Sequence, residues 1–347
     1  MLVYVGRRLV WAVLLAFVVM LITFVVFFVM PTRLYSPINE RGFDVHAQFD
    51  AKGALPVQFL HFVRHVVFHG DLGQSTAAGV PVTDVIRARL PVTASLLVGG
   101  VVLWLLIAFP IGILSALYPR TLLDKGLMVF VVAGASAHSV WVSLLLSYVF
   151  GVKLHVLPIA GYCDFHYHPN SEQGCGGARV WASHMILPWL AFAVVFAALY
   201  ARMIRASLLE VLEEDYIRTA RAKGASNARV VRSHALRNAM LPVVTMLGMD
   251  IGFVLGGTLF IESVFTLPGM GRQFVSSIGS GDVAVIMGIE LLISFVVIIT
   301  NVLVDVLYVV IDPRMGSSGE GSASLAPGPV LVGRRRRAQA PATESAS

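Results

Sequence analysis

The sequence predicts an all-α membrane protein with six transmembrane helices. Hydrophobic residues make up 57% of its 347 positions and charged residues only 13%. Mean hydropathy is +0.79, and the apolar residues gather into six long runs between polar segments. A soluble chain of this length would form two or three domains, and it would need far more charge to cover their surfaces. Inside a bilayer, backbone N–H and C=O groups find no water, so each run must close its hydrogen bonds within a helix.

The runs lie near residues 9 to 30, 93 to 117, 127 to 150, 184 to 203, 243 to 262 and 284 to 311. Each approaches or exceeds the about 20 residues needed to cross the hydrocarbon layer. The first follows Arg7 and Arg8, as a secretion signal would, but its apolar stretch exceeds the roughly 7 to 15 residues of a signal core and no small-residue cleavage site follows. It is expected to stay attached as a helix. The chain therefore divides into a first span (1–31), an external loop with a surface helix (32–92), a membrane core (93–312) and a tail (313–347).

In the external loop, Pro56 opens the stretch from Val57 to Phe68, which predicts a helix lying along the membrane. His61, His65 and His69 recur every four residues there. On a helix they would share one face, either as metal ligands or as a polar interfacial stripe. Helical histidines alone do not complete a ligand set, so no metal is assigned. Cys163 and Cys175, the only cysteines, lie between the third and fourth runs. Outside the cytosol a disulfide is their simplest use. Asp164, His166 and His168 leave a Cys/His metal site as the alternative, although the spacing fits no familiar zinc pattern.

Most of the 26 Lys and Arg residues fall on one side of this topology, at Arg7, Arg8, Arg120, Lys125, Arg202 to Arg237, Arg314 and Arg334 to Arg337. By the positive-inside rule both termini are cytosolic. The net charge of +6 then follows from topology and attraction to anionic inner-leaflet lipid, and no nucleic acid is implied. The tail from Gly316, rich in Ser, Gly, Ala and Pro, cannot bury a core and is expected to be disordered. No internal repeat is evident.

The most informative segment is the charged insert between the fourth and fifth runs: Asp215, Tyr216, Ile217, Arg218, Thr219, Ala220, Arg221, Ala222, Lys223 and Gly224, continuing through Ser226 to Pro242. Acids at its start and bases at its end suit a helix dipole, and Glu214 with Arg218 forms an i,i+4 pair. Gly224 is suited to end that helix and Ser226 to cap a second one carrying Arg229, Arg232 and Arg237. Pro242 marks a break where the chain re-enters apolar surroundings.

This insert resembles the EAA-type loop of ABC importer permeases, in the form with a long glycine-to-proline spacing found in dipeptide and oligopeptide systems. Further stretches resemble that family in the same order: Gly6-Arg7-Arg8-Leu9, Gly70-Asp71-Leu72-Gly73-Gln74-Ser75, Leu90-Pro91-Val92-Thr93, Glu262-Ser263-Val264-Phe265 with Pro268-Gly269-Met270-Gly271-Arg272, and Asn301-Val302-Leu303-Val304-Asp305 with Asp312-Pro313-Arg314. The resemblance covers residues 1 to about 315. It implies a type I importer permease fold in a prokaryotic inner membrane, with residues 215–224 as a coupling helix. The implied partners are a second permease, two ATP-binding domains and an extracytoplasmic solute-binding protein. The cargo would be di- or oligopeptides, with nickel, haem or glutathione-like cargo as the alternative within the family.

No phosphate-binding loop ending in Gly-Lys-Ser/Thr occurs, so ATP and Mg would be used by the partner, and this chain is expected to bind no cofactor and to be no enzyme by itself. HExxH and GxSxG motifs are also missing. An ion-coupled secondary transporter is the other class; it would use buried acids as coupling sites but has no need of the basic insert. Asp250, Glu262, Glu290 and Asp305 lie in or near the apolar runs, where a charge is costly without a partner or a wet path. Asp250 and Glu262 are the candidates for a translocation path, with helix pairing for Asp250 and a structural hydrogen-bond role for Glu262 as the alternatives.

Overall fold

The computed structural model describes residues 2–29, 54–165 and 175–311, where every named element is helical. Part of the external loop, His166 and His168, and the tail beyond residue 311 lie outside the described residues. In chain order the helices are α1 (Leu2–Phe24, extended by a π turn Val25–Val29), α2 (Leu55–Arg64, with a π turn His65–His69), α3 (Val82–Leu117), α4 (Leu122–Ser136) and α5 (Ser139–Leu146, with a π turn Ser147–Lys153). There follow α6 (Ala178–Leu212), α7 (Asp215–Ala222), α8 (Asn227–Arg229, running through a π turn Val230–Ala235 into α9, Leu236–Ala239), α10 (Leu241–Val264), α11 (Met270–Ser280) and α12 (Val283–Ile311).

Four helices are long and apolar enough to cross a membrane, and there are up to six spans if two bent pairs each count as one. One pair is α4 and α5, which meet at 108°. The third apolar run was expected to cross as one helix, but the small and polar stretch Gly134 to Ser139 lets the backbone extend at Ala137 (ψ 135°) and His138 (ψ 138°). His138 then caps α5, its Nδ1 accepting from the Val140 N–H at 3.3 Å. The other pair is the two halves of α10, Leu241–Asp250 and Val254–Val264, bent by 60°.

The core is built on α3 and α6, the most extensive helix pair. Without a hydrophobic drive between helices in lipid, close approach depends on small residues, and α6 buries Ala191, Ala193, Ala197, Ala198 and Ala201. Trp104 of α3 stacks on Phe196 at 4.8 Å and lies against Tyr200 at 5.7 Å. By contrast, α3 leaves Val98, Val102 and Leu106 exposed on its other side, as suits a lipid-facing surface.

At one end of the bundle the segment Gly70 to Ser75 folds back on the start of α12. Ser75 donates to Asp282 Oδ2 at 2.5 Å, and Asp282 is itself buried. A helix, α2, forms over the stretch that Pro56 opens and packs Phe62 against Phe28 at 5.2 Å, so it rests on α1. The rings of His65 and His69 lie against each other at 5.5 Å across the π turn of α2. His65 faces Asp71 at 3.5 Å, His69 contacts the Arg64 carbonyl at 3.3 Å, and no group that could hold a metal is found among the described residues.

Candidate functional site

The insert between α6 and α10 is a compact elbow. After α6, Glu214 turns the chain with an extended backbone (φ −65°, ψ 146°) and α7 begins at Asp215. Within α7 only Ile217 is buried. It inserts among Ala116 of α3, Leu208 of α6, Val230 and Ala235 of the π turn, and Ala239 of α9. Burying one such side chain stabilises by roughly 2 to 3 kcal/mol. Ala220 is half-buried against the same cluster, while Asp215, Tyr216, Arg218, Thr219, Arg221, Ala222, Lys223 and Gly224 are exposed.

The ends of α7 follow from local chemistry. Gly224 takes φ +84°, a region costly for residues with a Cβ. This lets Ala225 N–H donate to the Ala220 carbonyl at 3.2 Å. The ion pair differs from expectation: Glu214 lies outside the helix, so Arg218 meets Asp215 instead, at 3.7 Å and fully at the surface. Ser226 precedes α8 with an extended backbone, yet its side chain makes no cap bond. The break expected at Pro242 falls at Met240, between α9 and α10, and Pro242 is the second residue of α10, where its missing N–H costs nothing. A tie across the elbow completes it, with Asn238 Nδ2 donating to the Tyr216 hydroxyl at 2.8 Å. Arg218, Arg221, Lys223, Arg229, Arg232 and Arg237 are all exposed and outnumber the exposed acids Glu213, Glu214 and Asp215, so the outer surface is net positive.

Directly beside this socket lies a cluster that sequence reasoning missed. Asp124 of α4 is buried. It accepts from the Ser115 hydroxyl, from the Arg120 N–H at 2.9 Å, and from Arg205 of α6 through Nε at 3.1 Å and Nη2 at 3.0 Å. Three helices are thereby joined next to Ala116 and Leu208. The spacing of Thr121 and Asp124 signals a helix start, and Asp124 N–H does donate to Thr121 at 3.3 Å. Nothing in the sequence pointed to Arg205 as its partner.

The two acids expected along a path separate in the fold. Glu262 is fully enclosed: Thr93 donates to its Oε1 at 2.6 Å, and the Arg272 N–H donates to Oε2 at 2.9 Å. Thr93 in turn accepts from the Met270 N–H at 2.8 Å. A Cβ at Gly269 would collide with the Glu262 carboxylate, and one at Gly271 with the Leu259 backbone, which accounts for the glycines around Met270. Asp250 instead stays partly exposed, at the bend of α10, and accepts from the Tyr200 hydroxyl at 2.8 Å.

Between α5 and α6, Cys163 and Cys175 are joined by a disulfide, with their Cα atoms 5.2 Å apart. Burial, and then the Asp164 carboxylate, push the neighbouring Tyr162 phenol above its ordinary pKa, so it stays neutral at physiological pH.

The site is thus an exposed basic elbow between α6, which is long enough to span a membrane, and the bent α10. Residues 108–317 match the family described as "Binding-protein-dependent transport system inner membrane component", and the chain belongs to that family. It is 37% identical over 321 residues to the "Probable D,D-dipeptide transport system permease protein DdpB" of Escherichia coli strain K12, a match covering 87% of this chain and 94% of that protein. It is 35% identical over 297 residues to the "Dipeptide transport system permease protein DppB" of the same strain, covering 80% and 87%. A "Probable peptide ABC transporter permease protein" of Sinorhizobium fredii strain NGR234 is 35% identical over 272 residues, covering 78% and 84%.

Proposed function

We propose that this chain is one of two permeases in a peptide importer and that α7 transmits the motion of a separate ATPase. The observation that carries this reading is the seating of α7: Ile217 is buried in the bundle with Ala220 half-buried beside it, while the other side chains of the helix are presented outward. A short rigid helix held in this way moves as one body with α3 and α6 when pulled from outside. The ATPase would bind ATP and Mg; this chain binds neither. With both termini cytosolic, the elbow faces the ATPase and the loop around residues 32–92 faces a solute-binding protein. The names of the relatives favour di- or oligopeptide cargo.

Within the bundle, Asp250 is the better candidate for the path. It keeps partial exposure at the bend of α10, whereas the enclosed carboxylate of Glu262 fastens α3, α10 and α11 together. The test is an Arg221→Cys variant, made in a chain whose own cysteines remain paired, and cross-linked with a short thiol–amine reagent in membranes. The expected product joins this chain to an ATP-hydrolysing subunit in a complex that also holds a second permease. Purification of this chain alone, with Arg221→Cys linked to nothing, would overturn the reading.

A further inference from the structure

We infer that Arg89 and Arg272 bind the terminal carboxylate of cargo at the end of the bundle opposite the elbow, an assignment that rests on the proposed peptide importer. The elbow seats on the far ends of α3 and α6, at Ala116 and Leu208, whereas Arg89 stands near the start of α3. Both arginines close on one corner of the chain, Phe265 to Gly269, where α10 gives way to α11. Arg272 Nη1 donates to the Thr266 carbonyl at 2.8 Å and Arg89 Nη1 to the Pro268 carbonyl at 3.4 Å. Neither guanidinium meets a carboxylate among the described residues. A guanidinium has five N–H donors and each spends one here, so both keep capacity for a ligand.

Further contacts hold the corner in place. Glu262, buried beneath it, accepts from the Arg272 N–H at 2.9 Å and from Thr93, which in turn accepts from the Met270 N–H at 2.8 Å. From the disulfide side, the Gly161 N–H donates to the Phe265 carbonyl at 3.1 Å. Exposed Thr266 takes φ +51°. That conformation is costly for a β-branched residue and persists where the surroundings over-determine it, often at binding sites. A guanidinium already seated on a fixed carbonyl loses little freedom on binding. Cargo reaches the corner along α10: Gly256, Phe260 and Ser263 are exposed at helical spacing between the bend and the corner, and a Cβ at Gly256 would meet nothing within 4 Å. A peptide has a carboxylate at one end and an ammonium at the other. The arginines at the corner match the first, and Asp250 at the bend matches the second. Guanidinium and carboxylate pair through charge-assisted, two-pronged bonds that a neutral amide cannot reproduce.

Saturation-transfer NMR on the assembled complex, without its solute-binding protein and with or without a non-hydrolysable ATP analogue, tests this with a dipeptide and with the same dipeptide amidated at its C-terminus. The dipeptide should bind about tenfold more tightly than the amide, the difference expected for one charge-assisted contact. Arg89→Gln gives up only the long contact to Pro268 and should erase that preference. Arg272→Lys keeps a charge and a donor for Thr266 and should narrow it. Unfolding midpoints report whether each variant stays folded. Equal binding of the two ligands to the unaltered complex, no binding of either, or a preference that survives Arg89→Gln would overturn the assignment. Titration of the solute-binding protein onto the same variants covers the other source of a carboxylate: docking weakened by Arg89→Gln with the dipeptide preference intact would assign the arginines to that protein's acidic side chains instead. The importer reading fails separately, if the complex purifies without an ATP-hydrolysing subunit.

Discussion

Arg205 of α6 closes on Asp124 of α4 with two nitrogens, at 3.1 Å to one carboxylate oxygen and 3.0 Å to the other. The same Arg205 Nε donates to Ser115 of α3 at 2.9 Å. The clamp sits beside the socket of Ile217 and joins α3, α4 and α6 there.

Asp124→Asn should therefore weaken the fold as well as its mechanics. Losing one partner of a buried pair costs roughly 3 to 5 kcal/mol, less here because Arg205 retains some contact with solvent. The expected result is a lower thermal unfolding midpoint for the purified complex. Arg205→Lys keeps the charge but loses the two-pronged contact, and it should lower uptake per ATP hydrolysed with a smaller effect on stability. Equal midpoints for Asp124→Asn and the unaltered protein would contradict this role.

Ile217→Ala should loosen the elbow without unfolding the spans. Removing a buried aliphatic side chain of this size costs about 2 to 5 kcal/mol, confined here to the socket. Gly224→Val should act at the same place by forcing a β-branched residue to positive φ. Both variants should insert normally, with ATP hydrolysis continuing and uptake into reconstituted vesicles falling about tenfold. Uptake at the unaltered rate from Gly224→Val vesicles would refute a mechanical role for α7.

Glu262 is expected to be structural in its effect. Glu262→Ala leaves the Thr93 hydroxyl and the Arg272 N–H without their acceptor, at roughly 1 to 3 kcal/mol for each unsatisfied group. Glu262→Gln keeps an acceptor and should cost less. Gly269→Ala should resemble Glu262→Ala, because the added methyl meets the same carboxylate. Unfolding midpoints should rank Glu262→Gln above the other two; the reverse order would show that the charge matters more than the hydrogen bonds.

The bridge between Cys163 and Cys175 closes a loop of sequence separation 12, which by chain entropy stabilises it by roughly 3 kcal/mol. Thiol reagents should label neither cysteine until reductant is added. Reduction should expose Cys163 and Cys175 together and leave uptake driven through the elbow intact. Labelling of protein isolated without reductant would remove the bridge.

Much of the fold was legible because bilayer thickness and backbone chemistry constrain spans more tightly than any soluble fold. The end of α7 was legible too, since Gly224 is a local signal. What escaped were relations between distant positions. Nothing near Asp124 names Arg205, and nothing near Glu262 names Thr93, because pairs far apart in sequence meet only through helix packing. The 108° bend between α4 and α5 was hidden for another reason. Hydropathy integrates along a run and does not register two consecutive extended residues within it. Similarly, Glu214 pairs with Arg218 only if it belongs to the helix, and its extended backbone removes it.

The seating of α7 through Ile217, with Ala220 half-buried beside it, gives one short segment two different faces. Grip on the bundle comes from the inward aliphatic plug, whereas Arg218, Arg221 and Lys223 stand outward. Under the proposed function, substitutions on the outward face should retune which engine the transporter accepts, one position at a time, with the inward seat left unchanged.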